Sequence, residues 1–113
     1  NHVLCALNTN EPVKGISHIT GGGLTENIPR ILPKGCSANI QRGTWPYLPV
    51  FDTIEELGNI EIEEMYRAFN MGIGMVFVVD KKSVGTITKS LKNITPVFNI
   101  GTIDEGEGQT NYI

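Results

Sequence analysis

The sequence predicts an α+β domain, a mixed sheet with helices packed against it, on three observations. Ile73-Gly74-Met75-Val76-Phe77-Val78-Val79 is an apolar run of strand length, apolar on both faces, and predicts a central strand covered on both sides. Ile62, Met65 and Phe69 before it, and Val84, Ile87 and Leu91 after it, recur at helical spacing. Strands and helices alternate along the chain, which sets the helices against one sheet; order alone admits α/β as well. With 113 residues, 40% of them hydrophobic and 19% charged, the chain is one domain, 1–113, long enough to bury a core.

The elements follow in order. Val3, Leu4 and Leu7 mark one face of a short helix that ends at Asn8-Thr9-Asn10-Glu11-Pro12. It begins abruptly at Asn1, as an element cut partway would. Lys14 to Thr20 alternates loosely and predicts a strand. Gly21-Gly22-Gly23 follows, then Leu24, Ile28 and Ile31 at helical spacing; Pro29 limits that helix to one or two turns, broken near Ile28. Pro33-Lys34-Gly35 is a turn and Ser37 to Gln41 a short strand. Gly43 to Pro49 is irregular, and Trp45 and Tyr47 within it suit either the core or an exposed docking surface. Val50, Ile54 and Leu57 mark a helix stopped by Gly58. Asn59 is the expected N-cap of the next helix, with Glu61, Glu63 and Glu64 in its first turns, where the helix dipole favours anions. After the central strand, Ser83 is expected to cap a helix that carries Lys89 and Lys92 near its end. Pro96 to Ile103 predicts a strand, Glu105-Gly106-Glu107-Gly108 a turn, and Gln109 to Ile113 a last edge strand.

Composition narrows the function. A formal charge of -3 with scattered lysines and arginines gives nucleic acid no footprint. No apolar run approaches the roughly 20 residues that a membrane span needs, and Asn1 to Thr9 does not read as a secretory leader. Cys5 and Cys36 are isolated thiols outside any zinc spacing, so no metal is expected. A reduced cytoplasmic protein is the plain reading.

Glycine is in excess, 13 of 113 residues, and the excess is local. A strand, consecutive glycines and a helix start leave backbone N–H groups unshielded by side chains, which suits a phosphate. The same three glycines also suit a tight strand-to-helix turn. The pattern is neither the dinucleotide fingerprint nor a P-loop, because its spacing differs and no lysine follows. His18, Thr20, Glu26, Asn27 and Arg30 lie near this loop. A guanidinium there would be well used on phosphate. His18 is the candidate for acid–base work nearest the loop, although a histidine in a strand is more often structural. Asn70, Gly72 and Gly74 form a second candidate segment, where glycine suits close approach of a ligand, of the Gly21 loop, or simply a compact helix-to-strand connection. Glu63 and Glu64 read as helix-start charges rather than a catalytic pair.

His18-Ile19-Thr20-Gly21-Gly22-Gly23-Leu24-Thr25-Glu26-Asn27-Ile28-Pro29-Arg30 resembles the H-I-T-G-G-G-x-x-E-N-[IL]-P-R segment of the phosphoribosylformylglycinamidine cyclo-ligases, or AIR synthetases. Glu64-Met65-Tyr66-Arg67-Ala68-Phe69-Asn70-Met71-Gly72-Ile73-Gly74-Met75 is similar to their second signature, E-M-x-R-x-F-N-x-G-x-G-M, and Trp45-Pro46 falls where that family has it. The likeness runs from about Val13 to Val79 and fades toward Ile113.

The resemblance implies the fold of that family's C-terminal domain, in part ferredoxin-like. It implies an ATP-dependent reaction that converts formylglycinamidine ribonucleotide to aminoimidazole ribonucleotide in purine biosynthesis. Thr20, Gly21, Gly22, Gly23, Asn27, Arg30, Asn70, Gly72 and Gly74 become the implied substrate- or phosphate-binding set, with His18 beside them. ATP and Mg2+ are implied as cofactors, bound mainly by an N-terminal ATP-binding domain that also makes the family's homodimer. That domain is expected to lie outside these residues, so the chain alone is expected to be inactive, with apolar surface exposed beside the Gly21 loop. Selenophosphate synthetase and thiamin-phosphate kinase share the architecture and are the neighbouring alternatives. A free-standing small-molecule-binding regulatory module is the alternative from another class.

Overall fold

The computed structural model describes residues 13–113. The expected helix over Val3, Leu4 and Leu7, and Cys5 with it, lie outside the described residues. Among the described residues there are five strands, β1 (Val13–His18), β2 (Cys36–Ile40), β3 (Met75–Val79), β4 (Gly101–Glu105) and β5 (Thr110–Tyr112), and four helices. The helices are α1 (Gly23–Asn27), α2 (Pro49–Gly58), α3 (Ile62–Ala68) and α4 (Val84–Leu91), and short 3-10 turns occupy Pro29–Ile31 and Lys81–Ser83. This is an α+β fold with mixed strand pairing.

The strands form two sheets rather than one. β1 pairs antiparallel with β3, from Val13 opposite Val79 to His18 opposite Met75, with an irregularity between Val13 and Gly15. β2 is the middle of a second sheet, antiparallel to β4 and parallel to β5. β5 is an edge strand, as expected for Gln109 to Ile113.

β3 departs from the expected central strand. It starts at Met75, because Asn70 to Gly74 is a turn in which the Ile73 amide donates to the Asn70 carbonyl at 3.0 Å. Among the described residues its only strand partner is β1, and it is half-buried throughout. Its two faces still serve two cores. Val76 packs on the main cluster, which includes Leu24, Ile28, Trp45, Phe51, Met65, Tyr66 and Met71. Phe77 and Val79 pack on Ile87 and Leu91 of α4, in a smaller cluster with Val13 and Val97.

Three other boundaries differ, each for a local reason. Asn59 is not the cap of α3 but the left-handed residue that closes α2 (φ 49°), a conformation asparagine tolerates; Glu61 precedes α3 instead. Ser83 is buried and in helical conformation, and α4 continues out of the 3-10 turn without a side-chain cap from it. The expected strand from Pro96 begins only at Gly101, where pairing with Ile40 starts. There the β2 backbone comes so close that a Cβ on Gly101 would meet the Asn39 carbonyl oxygen. By contrast, α1 ends at Asn27 and Pro29 opens the 3-10 turn, as expected of a short helix broken near Ile28.

Leu24 is fully buried at the centre of the main cluster, whereas Leu57 is 85% exposed. Leu24→Ala is expected to destabilise the fold by about 2–5 kcal/mol, and Leu57→Ala by less than about 0.5 kcal/mol. Urea denaturation midpoints at constant slope check both.

Candidate functional site

The Gly21 loop is a turn between β1 and α1 whose carbonyls all face inward. Gly23 donates its amide to the Thr20 carbonyl at 3.0 Å. Gly22, at φ 97° and ψ -9°, has the geometry that the third residue of a type II turn requires. The buried carboxamide of Asn27 then donates to the carbonyls of Gly23 at 2.8 Å and of Thr20 and Gly21 at 3.2 Å each. The Gly22 carbonyl accepts from the Glu26 amide at 3.1 Å. Among the described residues, the amides of Gly21 and Gly22 donate to no protein group. A Cβ on Gly21 would meet open space, whereas one on Gly22 would run into the Glu26 side chain, whose carboxylate lies beside it.

Asn27 also uses its oxygen. Oδ1 accepts from the Thr20 hydroxyl at 3.2 Å and from Nη1 of Arg30 at 3.1 Å. The Ser17 hydroxyl donates to the Asn27 carbonyl at 3.1 Å and ties the end of α1 to β1. Thr20, Gly21, Gly22, Gly23, Asn27 and Arg30 thus form one bonded cluster. His18 lies at the exposed end of β1 beside it.

The second segment stands behind the first. The Ile19 amide donates to the Gly74 carbonyl at 2.9 Å, which joins the two loops by their backbones. Asn70 accepts the Gly72 amide on Oδ1 at 2.9 Å, and Met71 and Gly72 take left-handed conformations in the same turn. Asn70 therefore shapes this turn. The close approach expected at Gly72 or Gly74 falls on Gly23 instead. A Cβ there would run into the carbonyl oxygens of Phe69 and Tyr66, whereas one on Gly74 would meet nothing. Trp45 belongs to the core, and its indole N–H donates to the Met71 carbonyl at 2.9 Å, fixing the second turn from beneath. Glu63 and Glu64 lie in the first turn of α3, and Arg67 beside Glu64 holds its carboxyl below the usual carboxylate range.

The surroundings of the loop are polar. Exposed His18, Thr20, Glu26 and Arg30 flank Gly21. Leu48, 44% exposed, lies against Gly72.

One part of the site is invisible in either motif. The Thr25 hydroxyl donates to the Tyr66 carbonyl at 3.2 Å and is 2.7 Å from the Tyr112 hydroxyl, and the Arg42 guanidinium lies over both tyrosine rings. Thr110 adds hydrogen bonds to the carbonyls of Leu24 and Thr25. These contacts clamp the outer side of α1 against β5. No local pattern signals them, since Thr25 and Tyr112 are 87 residues apart.

Among the described residues no group of three or more His, Cys, Asp or Glu is placed to hold a metal ion. No helix among them is long and apolar enough to cross a membrane.

The fold and this loop define an α+β domain in which two unpaired backbone amides and one arginine lie in the same turn. The chain belongs to the family of the AIR synthase related protein, C-terminal domain, whose model matches residues 1–112. It is similar to proteins named phosphoribosylformylglycinamidine cyclo-ligase. The one from Caldanaerobacter subterraneus subsp. tengcongensis is 57% identical over 97 residues, 85% of this chain and 29% of that protein. The one from Bifidobacterium longum strain DJO10A is 52% identical over 92 residues, 80% of this chain and 27% of its own length. The one from Brevibacillus brevis is 45% identical over 111 residues, 97% of this chain and 32% of that protein. The chain thus spans about a third or less of these relatives.

Gly23→Ala combines a left-handed φ of 58° with two backbone clashes, so a loss of about 3 kcal/mol or more is expected. Gly21→Ala meets open space and is expected to stay within about 1 kcal/mol of the parent. Thermal unfolding of the two variants separates them.

A pH effect follows from the tyrosines. Burial is the main cause that raises the Tyr47, Tyr66 and Tyr112 phenols above their ordinary 10.0, and a hydrogen bond to Glu55 adds to it at Tyr47. The folded values exceed the unfolded ones, so this stabilisation is complete below the ordinary tyrosine value and is lost as pH rises through the folded values. In an alkaline titration, tyrosinate absorbance is expected to appear together with loss of circular dichroism, not before it.

Proposed function

We propose that this chain is the substrate-side domain of a phosphoribosylformylglycinamidine cyclo-ligase, in which the Gly21 loop and Arg30 receive a phosphate group. The group is the ribose phosphate of formylglycinamidine ribonucleotide or the phosphoryl group in transfer. The loop's polarity carries this reading: four carbonyls are turned inward, the Gly21 and Gly22 amides are left open, and Arg30 is held alongside. Family membership and the names of the relatives support it.

In the proposed reaction ATP phosphorylates the formyl oxygen of the substrate. An internal nitrogen attacks the activated carbon, phosphate leaves, and the imidazole ring closes. The contribution of this chain is to bind and orient, with oriented amides and a guanidinium stabilising charge on phosphate oxygens. Thr20 and the segment Asn70, Gly72 and Gly74 shape the wall of the site, and His18 stands at its rim for a proton transfer. The residues present fit a phosphate. ATP and Mg2+ are assigned mainly to an N-terminal ATP-binding domain of the same polypeptide, which also forms the homodimer. A cytoplasmic location completes the proposal.

Gly21→Asp tests it, because open space at this position leaves the fold intact while a carboxylate opposes phosphate. In a cyclo-ligase polypeptide carrying this domain, kcat/KM is expected to fall about 100-fold or more. The 113 residues alone are expected to show no substrate-dependent ATP turnover in a coupled assay. Unchanged kinetics in the variant would reduce the loop to a turn.

A further inference from the structure

Asn27 is 4% exposed, yet its side chain makes five hydrogen bonds within the site. Two N–H groups face three carbonyls, so at least one is shared. The carboxamide oxygen uses both lone pairs, on the Thr20 hydroxyl and on Arg30. The orientation of the amide follows from the network itself. A flipped amide would set its oxygen against three carbonyl oxygens and its NH2 against a guanidinium.

Nothing of this side chain is left for a ligand. Resting on the reading of the loop as a phosphate site, we propose that Asn27 is a positioning residue that does not touch the substrate. Its NH2 group turns the loop carbonyls inward, so that the Gly21 and Gly22 amides face outward, and its oxygen holds Arg30 beside them. This moves Asn27 out of the binding set that the motif implies.

The physical reason lies in the sign of the loop. Carbonyl oxygens facing outward would repel an anion, whereas amide hydrogens attract it. A turn of mostly glycine has little to choose between these arrangements, since glycine populates both halves of φ space. A buried donor at the centre of the turn removes the choice, because unpaired carbonyls inside would be costly. The bond to Arg30 acts likewise on a long exposed side chain: it reduces the rotamer freedom lost when an anion binds.

Titration of the 113-residue chain with inorganic phosphate, followed by NMR, tests this. The backbone amide signals of Gly21 and Gly22 are expected to shift and saturate. The side-chain NH2 signals of Asn27 are expected to stay in place and to exchange slowly with solvent. Asn27→Asp keeps an acceptor for Thr20 and Arg30 but confronts the three carbonyls with a carboxylate. Its phosphate affinity is expected to fall tenfold or more while the Leu24 and Met65 signals remain those of the folded core.

If the Asn27 NH2 signals move with the glycines, the residue is a ligand contact and the proposal is overturned. The same holds if the folded Asn27→Asp chain binds phosphate as the parent does. If the glycine amides of the parent ignore phosphate, the loop reading itself is wrong and this proposal falls with it. Should Asn27→Asp not fold, the signals of the parent chain still decide.

Discussion

The site depends on one buried carboxamide. Asn27 satisfies the carbonyls of Thr20, Gly21 and Gly23, and through its oxygen it holds Thr20 and Arg30. A loop of three glycines has no side chains with which to choose a conformation, so the choice comes from outside the triplet. Placing Asn27 at the end of the short helix α1 puts it one turn away from the loop, where it faces the inside of the turn. A five-residue helix has little stability of its own. It is held by Leu24 in the core, by Ser17 on one side and by Thr25 and Thr110 on the other.

The second motif acts as the floor beneath the first. Gly23 packs against the carbonyl end of α3, the Gly74 carbonyl binds Ile19, and Trp45 holds the Met71 carbonyl from below. The two motifs therefore behave as one object, although some 40 residues of chain separate them. Glycine serves two different needs here. At Gly22 it supplies a backbone angle and room for the Glu26 side chain, at Gly23 it supplies room against the end of α3, and Gly21 is left open.

The electrostatics of this object are local. The net charge of -3 would not attract an anion from solution. In the proposed phosphate site, attraction comes instead from oriented amides and one guanidinium over a few ångströms. Arg67, on the neighbouring α3, is engaged with Glu64, and Arg42 lies over Tyr66 and Tyr112. Arg30, whose partner is a neutral amide, keeps its charge available.

The sequence by itself determined the fold class, the family motifs and most of the elements, because apolar periodicity, Pro29 and the glycine clusters act over a few residues. It also identified the members of the loop cluster, since Thr20 to Arg30 are neighbours in the chain. Tertiary structure decided the rest. Asn59 ends α2 rather than starting α3, because a left-handed backbone is the cheaper use of asparagine there. The apolar run before Val79 became a half-buried strand of a two-stranded sheet, because periodicity reports burial and not pairing. The contacts within the motif were decided in the same way. Whether an asparagine touches a ligand or holds the backbone that does so depends on which atoms surround it, and those come from β1, α1 and the loop together.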